Sequence, residues 1–199
     1  LSPLLEGLLR RLMHVSAQDH EASQTLSKQL NAVVLRILSM SHGDDVYQAL
    51  FSLLVSTTAD VAAGDQAQLA ELVVKCLWKV ARKLPAALEA KQVHAEALLR
   101  SVERFFEAIP PSEWAQRAQK HVPLRDIPLI TATNVLKQLT DTLGEGALAA
   151  TDAWTEPEKT HVYRYLLRLL HGPSPPPAAD APSSPPPPAP SPAPPAASD

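Results

Sequence analysis

Proline is distributed so unevenly along this chain that it divides the sequence into two different polymers. Of the 20 prolines, 7 lie in residues 1–171 and 13 in residues 172–199. The C-terminal segment otherwise contains only Ala, Ser, Asp and a single Gly. It therefore lacks the aliphatic and aromatic side chains whose burial offsets the entropy lost on folding. We predict a folded domain over 1–171 and a disordered Pro/Ala/Ser-rich tail over 172–199.

The first 171 residues suit one domain, because a chain of that length buries roughly 70% of its unfolded surface. Charge is nearly balanced, with 18 basic and 21 acidic residues in the whole chain. This balance argues against nucleic acid or an anionic membrane as a partner. No apolar run approaches the ~18 residues of a membrane span. The sequence begins at Leu1, and we expect it to be a fragment of a longer protein.

Apolar residues recur at helical spacing through nearly all of 1–171, and no run shows the alternation of a half-buried strand. The fold class is therefore predicted to be all-α. Helix-start signals are assigned to Asp44, to Ser112 and to a capping box over 155–158, and helix-stop signals to Pro85 and Gly144. These signals predict helices over about 2–14, 21–40, 44–57, 66–84 and 91–109, a short helix at Trp114, and helices ending near Leu143 and His171.

The spacing of these helices indicates a repeat. Pairing the second helix with the third, and the fourth with the fifth, gives units that begin 45 residues apart, at Glu21 and Gln66. HEAT and armadillo repeats have a period of about 40–47 residues. The predicted architecture is a HEAT-like α-solenoid of antiparallel helix pairs, with an irregular helical bundle as the alternative.

No pattern typical of a catalytic or cofactor site is found. The histidines never recur at i+3 or i+4, so no metal site is predicted. The single cysteine, Cys76, lies on a predicted core stripe, which favours a buried thiol over a nucleophile and fits a reducing compartment. The adjacent acids Asp44 and Asp45 fall at a helix start, where they favour helix formation. We predict neither an enzyme nor a bound cofactor.

One surface feature favours protein binding. On the fourth predicted helix, Trp78 points away from the core stripe and is accompanied by Lys75, Lys79 and Arg82. Aromatic and arginine side chains dominate interface hot spots, so these four residues form a candidate protein-binding site. The alternative is that Trp78 packs between neighbouring repeats. Trp114 and Trp154 have the same two interpretations.

The tail contains a PxxP pattern over 184–190, yet no Lys or Arg accompanies it. A semi-rigid spacer is therefore favoured over a docking motif. Three Ser-Pro dipeptides are candidate phosphorylation sites, at Ser174, Ser184 and Ser191.

Several segments taken in order resemble one family. The most distinctive is Val-Lys-Cys-Leu-Trp-Lys at 74–79, continued by Arg-Lys-Leu-Pro at 82–85. Leu-Asn-Ala-Val-Val-Leu-Arg at 30–36, Phe-Phe-Glu-Ala-Ile-Pro at 105–110 and Pro-Leu-Arg-Asp-Ile at 123–127 are collinear with it. Over about 30–150 the chain resembles the C-terminal, TOG-like helical domain of the ch-TOG and Mini spindles microtubule polymerases.

Differences from this family argue against direct binding of tubulin by this chain. TOG domains that grip tubulin present a Trp and basic residues in the turns between helices, whereas here the first such turn, Ser-His-Gly-Asp at 41–44, is acidic and Trp78 is within a helix. The resemblance implies a placement domain that positions the polymerase at microtubule plus ends, spindle poles and centrosomes. Implied partners are tubulin or microtubules through the full-length protein, acidic coiled-coil adaptors and γ-tubulin complexes. The implied location is the cytoplasm and cytoskeleton. A HEAT or armadillo scaffold unrelated to microtubules is the alternative function.

Overall fold

The computed structural model describes residues 1–18, 20–59, 64–120 and 123–172. Within these ranges the secondary structure is helical and no residue lies in a β-strand, which confirms the all-α class. The predicted tail lies almost entirely outside the described residues. The helices are α1 Ser2–Ser16, α2 Glu21–Met40, α3 Gly43–Thr58, α4 Asp65–Ala81, α5 Leu84–Glu89, α6 Ala95–Ala108, α7 Pro111–Gln119, α8 Ile127–Leu143, α9 Gly146–Ala149 and α10 His161–His171.

Two predicted helix boundaries in the middle of the chain are wrong. α4 ends at Ala81, and Pro85 lies in the first turn of α5 instead of stopping α4. Proline is tolerated there because the first N–H groups of a helix have no intrahelical partner. α6 begins at Ala95 and not near Lys91, because Lys91 has a φ of 54° and so interrupts helical backbone. The predicted stop at Gly144 is confirmed, since this glycine follows α8 with a φ of 56°.

The capping box predicted before the last helix is also wrong. Glu156 has a φ of 52°, and Pro157–Lys159 forms a separate 3-10 turn. The residue that caps α10 is Thr160, whose Oγ1 accepts a hydrogen bond from the Tyr163 N–H at 3.2 Å. The helix begins later than the capping box predicts because Pro157 follows a residue with left-handed backbone, Glu156. This combination forms a turn and not a continuous helix.

Helix packing differs from the pairing predicted from chain spacing. α3 buries residues on most of its circumference, including Val46, Leu50, Phe51 and Leu54, and packs chiefly on α4 and α6. α2 buries only Ser23, Val34 and Leu38 and packs on α1. The close pairs are therefore α1–α2 and α3–α4, whereas α2–α3 and α4–α6 were predicted. A helix with one narrow buried stripe stays peripheral, whereas α3, apolar on several sides, becomes central.

The main core runs through two rows of helices. The first row is α3, α6 and α10, in which α6 packs on both of the others. The second row is α4 and α8, which pack on each other. The rows are joined by contacts of α3 with α4 and of α10 with α8. Large aromatic side chains fill the space around α6, where Phe105 lies between Phe51 and Trp114 with ring centroids 6.1 and 5.7 Å away. These contacts place α4 and α8 side by side, and that juxtaposition creates the candidate site.

Charged side chains from one helix bind the free backbone ends of another. The Glu103 carboxylate on α6 accepts from the backbone N–H groups of His161 and Val162 at the start of α10, at 3.0 and 2.7 Å. Arg117 on α7 donates to the carbonyls of Thr58 and Ala59 at the end of α3. These groups have no intrahelical partner, so the two side chains stabilise helix ends about 58 residues away in sequence.

The predicted N-caps at Asp44 and Ser112 are wrong. α3 is preceded by His42 and α7 by Pro110, and no side-chain cap is formed at either helix. Asp44 lies inside the first turn of α3, where its Oδ1 accepts from the His94 backbone N–H at 2.8 Å. The Asp44 carboxylate, predicted to cap α3, therefore forms a hydrogen bond with the backbone at the start of α6.

Candidate protein-interaction site

α4 places its apolar residues toward the core and leaves the opposite face open. Leu69, Val73 and Leu77 are fully buried on that helix, whereas Trp78 is 44% exposed. Lys75, Lys79 and Arg82 are also exposed. All four residues therefore lie away from the buried stripe of α4.

Trp78 is held from one side by α8. Its indole Nε1–H donates to Thr131 Oγ1 at 3.0 Å, and the Thr131 hydroxyl in turn donates to the Ile127 carbonyl at 2.8 Å. Thr131 is fully buried. The indole therefore has a fixed orientation, with its N–H directed at α8 and nearly half of its surface in contact with solvent. Both of its predicted roles, contact between helices and exposure to a partner, are compatible with this position.

Trp78 and α8 form the walls of a cleft of about 400 Å³. Arg82 on α4 and Lys137 on α8 line it together with the acidic Asp141. The remaining lining comes from Ala81, Thr131, Asn134 and Gln138. Of the residue types in this lining, tryptophan and arginine are enriched at protein interfaces, whereas lysine and aspartate are depleted there.

The other two predicted site residues face elsewhere. Lys75 Nζ forms an ion pair with Glu71 at 2.7 Å, and both residues line a depression formed by α1, α2 and α4. Lys79 lines a separate pocket with Tyr47 and Lys83. At 100° per residue the four side chains span about 100° of the helix circumference, in the order Trp78, Arg82, Lys75, Lys79. The structure thus brings together Trp78 and Arg82 in the cleft and separates them from Lys75 and Lys79.

The remaining tryptophans belong to the core. Trp114 is 2% exposed, stacks on Phe105 and carries the Arg117 guanidinium 4.9 Å from its ring centroid. Trp154 is 9% exposed, with the Arg100 guanidinium 5.2 Å from its ring centroid. The structure therefore shows that both side chains are buried within the chain.

Cys76 is buried on α4, as the core stripe predicts. Burial in apolar surroundings disfavours the thiolate and raises the pKa of the thiol to about 11. The thiol is therefore protonated at neutral pH, which is unfavourable for a nucleophile.

The α8 half of the cleft was missed by sequence reasoning, because Thr131 is 53 residues from Trp78. On α8 the apolar Ile130 is 44% exposed, whereas the neighbouring Thr131 is buried. A threonine can satisfy its hydroxyl on the carbonyl four residues earlier and so enter a helix interface. The sequence does contain one signal for the burial of Thr131. It lies four residues before the buried Val135, and residues four apart share a helix face.

The candidate phosphorylation sites Ser174, Ser184 and Ser191 lie outside the described residues. Among the described helices, none combines the length and hydrophobicity needed to cross a bilayer. Neither a protein-family model nor a solved structure gives a significant match to this chain.

Proposed function

We propose that this chain is a non-catalytic protein-interaction domain of a microtubule-associated polymerase, and that it helps to place the polymerase at microtubule plus ends, spindle poles and centrosomes. The collinear motifs over about 30–150 supply the link to the ch-TOG and Mini spindles family. The observation that carries a binding role is the half-exposed Trp78 in the α4–α8 cleft. Its indole is oriented before any partner arrives, which reduces the entropy lost on binding.

The architecture that we propose is a short HEAT-like solenoid. The α3–α6–α10 row and the α4–α8 row support it, because stacked helix pairs generate two such rows. In that arrangement α4 and α8 are successive helices of one face. Their cleft is then a groove between neighbouring repeats, a location at which solenoids bind extended partners.

The proposed partners follow the family resemblance: acidic coiled-coil adaptors and γ-tubulin-containing assemblies directly, and tubulin through the full-length protein. Two cations, Arg82 and Lys137, line the cleft together with Asp141. Acidic groups of an adaptor can pair with the cations while an apolar residue contacts the indole. The proposed location is the cytoplasm and its cytoskeleton.

The test is a double substitution at the two exposed residues that α4 contributes to the cleft. We expect Arg82→Glu combined with Trp78→Gln to reduce binding of the chain to a coiled-coil adaptor in a quantitative pull-down by at least about tenfold, since hot-spot losses reach 2 kcal/mol or more. The matched control is Arg104→Glu, a charge reversal at an exposed residue of α6 that lines a different depression. Both proteins should retain wild-type helicity by circular dichroism.

Recruitment in cells supplies the second readout. The double variant should lose localisation at spindle poles and plus ends, and the Arg104 variant should keep it. Equal adaptor binding by the two variants would contradict the cleft as the binding site. Tight binding to partners that have no connection with microtubules, together with no binding to tubulin or adaptors, would favour a general HEAT or armadillo scaffold.

A further inference from the structure

Two histidines and an aspartate from distant parts of the sequence meet where α3 and α6 begin. The side chains of His42, Asp44 and His94 each offer one ligand atom, and these atoms lie within 4.8 Å of one another. His94 Nδ1 lies 2.7 Å from Asp44 Oδ2, and His42 Nδ1 lies 3.8 Å from the same oxygen. The first distance is a hydrogen bond and the second is too long for one.

The backbone holds this cluster in place. The Gly43 N–H donates to the Gln92 carbonyl at 3.1 Å, joining the α2–α3 junction to the segment before α6. This approach requires glycine, since a Cβ there would lie 2.4 Å from Val93 Cγ2. His42 and Asp44 flank Gly43 in sequence, and His94 follows Val93. The contact that needs a glycine therefore also sets the separation of the three side chains.

The two carboxylate oxygens of Asp44 have different neighbours. Its Oδ1 accepts from the His94 backbone N–H at 2.8 Å, which leaves Oδ2 directed at both imidazoles. The Asp44 side chain is 20% exposed, while those of His42 and His94 are 53% and 63% exposed. The carboxylate is thus held by the α6 backbone, while more than half of each imidazole side chain is exposed to solvent. The rings stack with centroids 6.1 Å apart and planes 18° from parallel.

We propose that His42, Asp44 and His94 form a binding site for a divalent transition-metal ion of the zinc class. Two imidazole nitrogens with one carboxylate oxygen are a donor set suited to zinc and not to calcium or magnesium, which take oxygen ligands. In tetrahedral zinc coordination neighbouring ligand atoms are about 3.3 Å apart, given bonds of about 2.0 Å. In the structure the two imidazole Nδ1 atoms lie 2.7 and 3.8 Å from Asp44 Oδ2 and all three ligand atoms lie within 4.8 Å of one another, so small rotations of the two exposed rings would bring them to that spacing.

Such a site has two consequences. The ion links the α2–α3 junction to the start of α6, so it stabilises the folded chain by binding it in preference to the unfolded one. Three protein ligands also leave a fourth position for water or for a donor group of a partner. This inference does not depend on the function of the Trp78 cleft, which lies between α4 and α8.

The test uses the full chain without a polyhistidine tag, titrated with ZnCl₂ in a calorimeter. We expect a single Zn²⁺ per chain, and an increase in the melting temperature at saturating zinc. His42→Ala and His94→Ala should each weaken zinc binding by at least about tenfold, since even loss of a supporting contact to a ligand costs that much. His14→Ala, at an exposed histidine on α1, is the matched control and should bind like the wild type.

Cobalt provides a readout that does not depend on stability. Co²⁺ bound by two imidazoles and a carboxylate in tetrahedral geometry absorbs in the visible range more strongly than hydrated Co²⁺, and this band should disappear in both cluster variants. Asp44→Asn retains an oxygen acceptor for the His94 N–H and should also reduce metal affinity. Zinc binding that is absent from the wild type, or equal in the wild type and the two histidine variants, would overturn the proposal.

Discussion

At the scale of single residues, the most consequential side chains are charged groups that bind helix ends far away in sequence. Glu103 is 7% exposed and accepts hydrogen bonds from two backbone N–H groups at the start of α10. A carboxylate is favoured there by the partial positive charge of a helix N-terminus. Apolar periodicity does not reveal such a residue, because a glutamate on a helix is ordinarily read as solvent-exposed.

Replacing Glu103 by glutamine should lower the free energy of unfolding by about 1–2 kcal/mol, because both hydrogen bonds to the α10 backbone lose the carboxylate charge and one of the two acceptor oxygens becomes an NH₂ group facing an N–H donor. Urea denaturation followed by circular dichroism measures this change. Glu107→Gln, at an exposed position one turn further along α6, is the matched control and should change stability by less than about 0.5 kcal/mol. Similar losses in the two variants would contradict a specific role for Glu103.

Cys76 gives a prediction about pH. Burial raises the pKa of its thiol from 9.0 to about 11 in the folded chain. The neutral thiol therefore contributes stability that is complete below pH 9 and is lost as the pH rises toward 11. Thiolate absorbance near 240 nm should increase around pH 11 in the native protein and around pH 9 after denaturation. An identical midpoint in the two states would show that the thiol is not buried.

At the scale of secondary-structure elements, helix existence is predicted by apolar periodicity, while helix ends depend on contacts with other elements. α2 begins and ends where predicted, at Glu21 and Met40. α6 begins later than predicted, where Asp44 from α3 accepts the His94 N–H. Local capping signals failed there because the group that satisfies the backbone comes from another helix.

Two glycines allow the same substitution to be compared in opposite settings. Gly43→Ala should reduce stability by about 1–3 kcal/mol, since the new Cβ would lie 2.6 Å from the Gln92 carbonyl oxygen and meet the Val93 side chain. Gly7→Ala, in the middle of α1 with no atom within 4 Å of the new Cβ, should increase stability by about 0.5–1 kcal/mol. Thermal denaturation of both variants checks the signs, and a stabilising Gly43→Ala would refute the close packing of the α3 start.

At the scale of the whole molecule, composition predicts where the folding unit ends and the tail begins. Residues 173–199 have no aliphatic side chain larger than alanine apart from proline. We expect a chain truncated after Gly172 to unfold at the same temperature and with the same urea dependence as the full chain, because the slope of that dependence reports surface exposed on unfolding. A smaller slope would show that the tail is part of the folded domain. Wild-type localisation of the truncated chain would show that the tail is not needed for placement.

By itself, the sequence determined that this protein is helical, which helices are long, where most of them lie, and that Cys76 belongs to the core. These properties follow from periodicity and composition, which can be read from residues that are close together in the sequence. Only the tertiary structure decided that α3 is central, that Trp78 faces α8 while Trp114 and Trp154 are buried, and that His42 and Asp44 meet His94. Those outcomes depend on contacts between residues about 50 positions apart, whose partners are selected by packing of the whole chain and leave no local pattern.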